Sequence, residues 1–313
     1  MQSSVLHKNP RLWFPGGTVV FRAQDTIYRL FPDILSSCSP VFQGLFTVPQ
    51  PSSQETYEGL PLITLPDQSG DLTALFEAIY APQDSHIFLS SATSDAYPLE
   101  KTLGVLKLST KYQIEYLRYQ ALRLLCADHV PLTFDAFDHK GTKWSKSTTT
   151  AMKILPVARQ CNAIWLLPTL FYLSCALPTD ETHDPDEFTQ ADIDLMDERR
   201  IWRGRSLLIQ ANNREICAPL RMPCDSMELD CSNSKIDLLD SWLDGCPLEF
   251  IAWKPTGLCA NCLPLMKQEV ETAKRRFWHS IPYLFDLPPW EELRKQQDID
   301  LGYAPGAQTD VQN

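Results

Sequence analysis

Between Thr18 and Tyr80 the apolar residues change their spacing, and that change restricts the chain to folds in which a sheet is followed by helices. Thr18-Val19-Val20-Phe21-Arg22 and Thr26-Ile27-Tyr28-Arg29-Leu30 are short β-branched and aromatic runs separated by Ala23-Gln24-Asp25. That pattern is a hairpin signal, and Gly16-Gly17 supplies the bend before it. From Asp71 onwards Leu72, Leu75, Phe76, Ile79 and Tyr80 fall on one face of a helix with a period of about 3.6 residues, stopped by Ala81-Pro82. Between these lies a third strand, Leu60 to Leu65, whose Pro61 lacks an N–H and so predicts an edge position. Gln50 to Gly59 and the Ser-rich stretch Gln83 to Tyr97 read as surface loops.

A helix pair follows. Leu99, Leu103 and Leu106, then Leu117, Ala121, Leu124 and Leu125, keep helical spacing on either side of a break between Lys111 and Ile114, which predicts two antiparallel helices. Pro131 to Thr150 has little periodicity. Beyond it the chain reads as helical: Ala151 to Gln160, Ile164 to Leu177, a charged helix from Phe188 to Asn212, an irregular cysteine-bearing stretch from Cys217 to Cys262, and a helix from Leu265 to His279. In the Phe188 to Asn212 helix, acids precede Arg199, Arg200, Arg203 and Arg205, which suits the helix dipole. These arginines read as a solvated face with intrahelical ion pairs. The organisation expected is α+β for residues 1–130, a linker over 131–150, a mainly helical unit over 151–295 and a flexible tail over 296–313.

Composition narrows the function. With 313 residues, 44% of them hydrophobic, the chain can bury a sizeable core, and a formal net charge of -11 disfavours nucleic acid as a partner, since phosphate binding relies on Lys and Arg. The first residues lack an apolar run of signal-peptide length. The most apolar piece, Ala163 to Leu177, is shorter than a membrane span and contains Pro168. The expectation is therefore a cytoplasmic or nuclear protein without a membrane partner. In such a compartment ten cysteines remain free thiols.

The stretch "SSCSPVFQGLF", Ser36 to Phe46, sets small polar residues beside an aromatic run. A nucleophile needs a base within hydrogen-bond reach, and none of the six histidines lies in a recognisable catalytic motif. No Gly-x-Ser-x-Gly elbow, phosphate-binding loop or dinucleotide fingerprint occurs either. The stretch reads instead as the end of one helix, an N-cap at Ser39 with Pro40 at the first helical position, and a buried face made of Val41, Phe42, Leu45 and Phe46. Ile34 and Leu35 are expected to bury the preceding short helix. No catalytic residue is assigned, and a hydrolase built on Cys38 or Cys161 is set aside.

Four pieces, taken in order, resemble the BTB/POZ domain: "TIYRLFPDILSSCSPVFQGLF" (Thr26 to Phe46), "LITLPD" (Leu62 to Asp67), "LTALFEAIY" (Leu72 to Tyr80) and "LGVLKLSTKYQIEYLRYQALRLL" (Leu103 to Leu125). The segments from Trp13 to Phe31 and from Ile154 to Leu177, with "FWHSIPYLFDLPPWEEL" (Phe277 to Leu293), look most like the BTB proteins of mushroom-forming fungi. The resemblance implies a non-enzymatic, protein-binding adaptor that self-associates or recruits partners, including to a cullin-type ubiquitin ligase scaffold. Two positions depart from the wider family. Phe31 stands where many members have His, and Gly16 where an Asp common ahead of the hairpin helps the dimeric arrangement, which weighs against homodimerisation through the usual surface.

One further motif is chemical. Cys259-Ala260-Asn261-Cys262 is a Cys-x-x-Cys knuckle that can hold two corners of a zinc tetrahedron, with Cys217, Cys224, Cys231, Cys246 or His279 as sources of the others. A single knuckle, where a convincing site has two, leaves packed thiols and no cofactor as the expectation. Structural zinc is the alternative, and with it a second function: a zinc-stabilised transcriptional or chromatin-associated regulator. The aromatic residues Trp278, Tyr283, Phe285 and Trp290 are expected to pin their segment back across the second unit.

Overall fold

The computed structural model describes residues 5–48, 55–82, 98–139, 148–175, 193–224, 229–243, 245–248, 253 and 257–302. The chain divides into two compact units, the first formed by residues 1–128 with 300–303 and the second by 129–299. Among the described residues no helix is long and apolar enough to cross a membrane.

The first unit is a five-stranded sheet with helices. Strands β1 (His7–Trp13), β2 (Val19–Ala23), β3 (Thr26–Leu30), β4 (Thr56–Tyr57) and β5 (Leu60–Thr64) lie in the order β1-β3-β2-β5-β4. The β2–β3 hairpin pairs Val19 with Leu30 and Ala23 with Thr26, turning through Gln24 at a φ of 53°. The Gln24 side chain then accepts a bond from the Ser69 N–H, 3.0 Å, so the turn caps α3 (Ser69–Tyr80). Helices α1 (Pro32–Cys38) and α2 (Pro40–Thr47) follow the hairpin, and α4 (Leu99–Lys111) and α5 (Glu115–Asp128) complete the unit.

Its core is aromatic. Phe76 meets Phe21 at 5.7 Å and Tyr28 at 5.2 Å between ring centroids, and Phe42 stacks on Tyr112 at 4.4 Å. Ser39 accepts from the Phe42 N–H, 3.1 Å, and donates to the Tyr112 carbonyl, 2.6 Å. One hydroxyl therefore caps α2 and fastens it to the turn between α4 and α5. The neighbouring polar groups are spent locally: the Ser37 hydroxyl bonds Ile34 O and the Cys38 thiol Leu35 O.

Several expectations change here. β5 is not an edge strand, because β4 pairs with it through Thr56–Pro61 and Tyr57–Leu60. Pro61 is tolerated because the register of β5 with β2 begins one residue later, at Leu62. Residues 55–59 are thus a small hairpin rather than loop, while 50–54 and the 83–97 loop lie outside the described residues. β1, unforeseen, pairs parallel with β3 through His7–Thr26 and Trp13–Arg29, with an irregularity around Pro10. The buried face of α2 narrows to Phe42, since Val41 is exposed and Leu45 and Phe46 half-buried, and Ile34 of α1 is exposed too.

The second unit is helical: α6 (Phe134–His139), α7 (Thr148–Gln160), α8 (Leu167–Cys175), α9 (Leu195–Ala211), α10 (Leu229–Trp242), α11 (Cys262–Leu284) and α12 (Trp290–Asp300). α6 falls inside the stretch read as a linker, and Phe137 packs on Tyr172 at 5.6 Å and Trp278 at 5.9 Å. α10 occupies much of the stretch read as irregular. α9 starts at Leu195, where Asp194 caps it by accepting from the Met196 N–H. Its buried Asp197 takes a two-pronged bond from Arg159 of α7, both contacts 2.7 Å, and a third from Arg200, 2.7 Å. Trp290 stacks on Trp278 at 5.6 Å and donates its indole N–H to the Trp278 carbonyl, 3.0 Å. Trp278 and Phe285 are buried as expected, but Tyr283 is 67% exposed and pins nothing. α12 runs to Asp300, inside the stretch read as tail.

Candidate metal centre

Four cysteines from three separate places meet in the second unit. Cys224 follows the single helical turn Ala218–Arg221, Cys231 sits in the first turn of α10, Cys259 precedes α11, and Cys262 is the first residue of α11. Their Sγ atoms all lie within 4.8 Å of one another, with Cys224 and Cys259 at 3.8 Å. A Zn–S bond of about 2.3 Å puts the sulfurs of a regular tetrahedron about 3.8 Å apart. The thiols therefore already stand at nearly the spacing that one such ion imposes.

Helix geometry explains the gathering. The polar turn Ala260-Asn261 reverses the chain into α11, so that the Cys262 N–H donates to Cys259 Sγ, 3.4 Å. The Cys259 N–H donates in turn to Cys231 Sγ, 3.4 Å, tying the knuckle to α10. Gly257 lets this loop lie against α10, because a Cβ there would stand 2.5 Å from Ser234 Oγ. Leu258 is buried with the thiols, and Leu238, Trp253 and Leu263 pack around them. Trp253 is held edge-on by Trp242 at 5.2 Å. The result is a largely apolar surround for four sulfur atoms.

Lys235 completes it. This lysine stands one helical turn beyond Cys231 on α10, is only 4% exposed, and donates to the carbonyls of Met222, 3.0 Å, and Pro223, 3.5 Å, just ahead of Cys224. Its ammonium also acts on the Cys262 thiol, drawing its pKa down. Burial pushes the Cys231 thiol up to about 12, and neighbouring thiols add to the shift. Burial raises Cys262 as well, with Cys259 adding to the rise and Lys235 opposing it. A cation in the middle reverses that preference, because a coordinated thiol gives up its proton outright.

The chemistry open to such a site is narrow. Thiolates are soft ligands that select zinc, copper(I) and iron–sulfur clusters. A cluster inserts its own iron and sulfide between the thiolates and needs a wider cage than sulfurs in near-tetrahedral contact. Four protein ligands also close the coordination sphere, leaving no position for a substrate, which is the pattern of structural rather than catalytic zinc.

Of the residues named from sequence, the structure brings Cys259 and Cys262 together with Cys224 and Cys231. Cys217 and Cys246 are not members of the group. His279 lies on α11 about five turns, or about 25 Å, beyond Cys262 by the helical rise. Lys235 was not foreseen, although its position four residues after Cys231 places both on one helix face. Comparison of the chain with protein-family models, with curated proteins and with solved structures finds no match in any of the three.

Proposed function

We propose that the chain is a non-enzymatic protein-interaction module, a BTB-type adaptor whose first unit self-associates or recruits partners, including a cullin-type scaffold. The observation that carries this reading is the order of elements in the first unit: the β2–β3 hairpin, the α1–α2 pair, the strand β5, then α3 and the α4–α5 pair. It is the order on which the resemblance to BTB/POZ domains rests. The closed set of sulfur ligands in the second unit agrees with a role in holding shape rather than in turning over a substrate.

The two departures from the family are neighbours. A Cβ on Gly16 would stand 3.4 Å from the Phe31 ring, which also meets Phe14 at 5.6 Å, while Phe14 meets Tyr80 at 5.5 Å. An aromatic cluster thus occupies the place of the Asp and His, which favours recruitment of a different protein over pairing through the usual surface. Ile34, Val41 and Tyr116, exposed on α1, α2 and α5, are the first positions to substitute.

Light scattering on the full chain, alone and mixed with a purified cullin-type scaffold, tests the reading. A dimer, or a stoichiometric complex that Ile34→Asp with Val41→Asp dissolves without lowering the melting temperature, is the expected result. A monomer that leaves the scaffold free sinks both forms of it. A second reading, a zinc-stabilised transcriptional or chromatin-associated regulator, draws on the same four thiols. The net charge of -11 argues that such a regulator would act through proteins rather than phosphates.

A further inference from the structure

We propose that Cys224, Cys231, Cys259 and Cys262 bind a single structural Zn2+ as four thiolates, and that the buried Lys235 is the positioning residue that offsets the charge of that site. This does not rest on the adaptor reading.

Three independent features lead to the metal. The sulfurs converge within 4.8 Å although Cys231 and Cys259 are separated by most of α10 and a loop. Two backbone N–H groups point at sulfur, from Cys259 to Cys231 and from Cys262 to Cys259, and such bonds favour the thiolate over the thiol. Cys262 opens the 23-residue helix α11, whose N-terminus carries partial positive charge, a further stabilisation of a thiolate. A group of packed neutral thiols would need none of these donors.

Lys235 answers a charge problem. Zn2+ with four thiolates carries a net charge of −2, which is costly to enclose among Leu258, Leu238, Leu263 and Trp253 without a counter-charge. The ammonium offsets half of it. Its bonds to the Met222 and Pro223 carbonyls also fix the backbone leading into Cys224, so the same side chain orients one ligand and screens another. Groups in this outer shell commonly set metal affinity over about 10–100-fold. Each cysteine releases its proton to solvent as the ion binds, and no oxidation is involved.

The test uses the full chain expressed with zinc supplementation and analysed by elemental mass spectrometry. One zinc per chain is expected, retained in Cys217→Ser, whose thiol lies outside the cage, and lost in Cys259→Ser. Exchange with cobalt(II) should give the visible absorption of tetrahedral thiolate coordination. Because Cys259→Ser can unfold the unit, Lys235→Met supplies the second arm: a folded protein whose zinc affinity, measured by chelator competition, falls about 10–100-fold and is partly recovered in Lys235→Arg. Absence of stoichiometric zinc after reconstitution, stoichiometric iron instead, or full zinc retention in folded Cys259→Ser overturns the metal assignment. Unchanged zinc affinity in Lys235→Met overturns the role of the lysine.

Discussion

The two units each bury a carboxylate between two cations, yet the α10–α11 end of the second is held together by different means from the first. In the first, Glu77 of α3 is paired with Arg11 and Lys101, both at 3.1 Å, beside a sheet whose core is a run of touching aromatic rings. In the second, Asp197 joins Arg159 and Arg200, but the α10–α11 end gathers four thiols, a lysine and a small apolar shell. An aromatic core is stable by burial alone, since each large ring removes much apolar area from water. A shell of a few leucines around sulfur buries far less, and needs something in its centre. The first unit, and the aromatic part of the second around Tyr172 and Trp278, should therefore fold on their own side chains, while the α10–α11 end should depend on an ion.

Removing that ion should separate the two most. Apparent binding free energies of structural zinc are about 10–16 kcal/mol in small zinc-dependent peptides, larger than the effect of any single side chain. A strong chelator should abolish hydrogen-exchange protection in α10 and the first turns of α11, while β2, β3 and α3 exchange as before. Equal loss in both units, or in neither, would erase the contrast.

The converse change is Phe42→Ala. Phe42 is fully buried, stacked on Tyr112 and edge-on to Phe21 at 6.0 Å, so its loss should cost about 3–5 kcal/mol. Denaturant unfolding followed by exchange should show this in the first unit, with zinc content unchanged. Zinc loss from Phe42→Ala would mean that the units do not stand independently.

Asp197→Asn comes next. The carboxylate is 1% exposed, but its arginine partners keep 34% and 27% of their side-chain surface in solvent. Stranding a fully buried partner costs about 3–5 kcal/mol; water reaching these guanidinium groups reduces the expectation to about 2 kcal/mol. The unfolding free energy of the second unit should fall by that amount with the metal retained, which distinguishes its α7–α9 end from its sulfur end.

What could be read in advance follows the same division. The hairpin, α3 and the α4–α5 pair were legible because their signals are local: alternation in Val19–Ala23, helical spacing in Leu72 to Tyr80, a turn at Tyr112. β1 was not, since a strand with one buried residue, Leu12, and a proline in its middle carries no alternation. The sulfur site was half legible. Cys259 and Cys262 announce themselves because a knuckle is a local motif, whereas Cys224 and Cys231 are joined to it only by the path of α10 and its approach to Gly257. Lys235 was hidden for a further reason, because a lysine on a helix with Asp230, Asp237 and Asp240 reads as part of a solvated face. Val41 erred in the other direction, as apolar residues at helical spacing on the short α2 overstated how much of it the sheet covers.

Ser39→Ala should be the smallest change and tests whether local capping and distant packing are coupled in the first unit. Ser39 is 1% exposed, and the two bonds of its hydroxyl serve different ends, the Phe42 N–H at the start of α2 and the Tyr112 carbonyl after α4. Losing an N-cap costs about 1 kcal/mol, and leaving the carbonyl without its donor adds about 1 kcal/mol more, so about 2 kcal/mol is expected. Ser39→Thr keeps the hydroxyl and should recover most of it, provided the extra methyl finds room. If Ser39→Ala costs only the cap, with protection around Tyr112 unchanged, the bond between the two helix pairs contributes nothing, and the aromatic stack alone holds them. If protection falls at both places together, one serine in the stretch with the look of a nucleophile fastens α2 to the turn that follows α4.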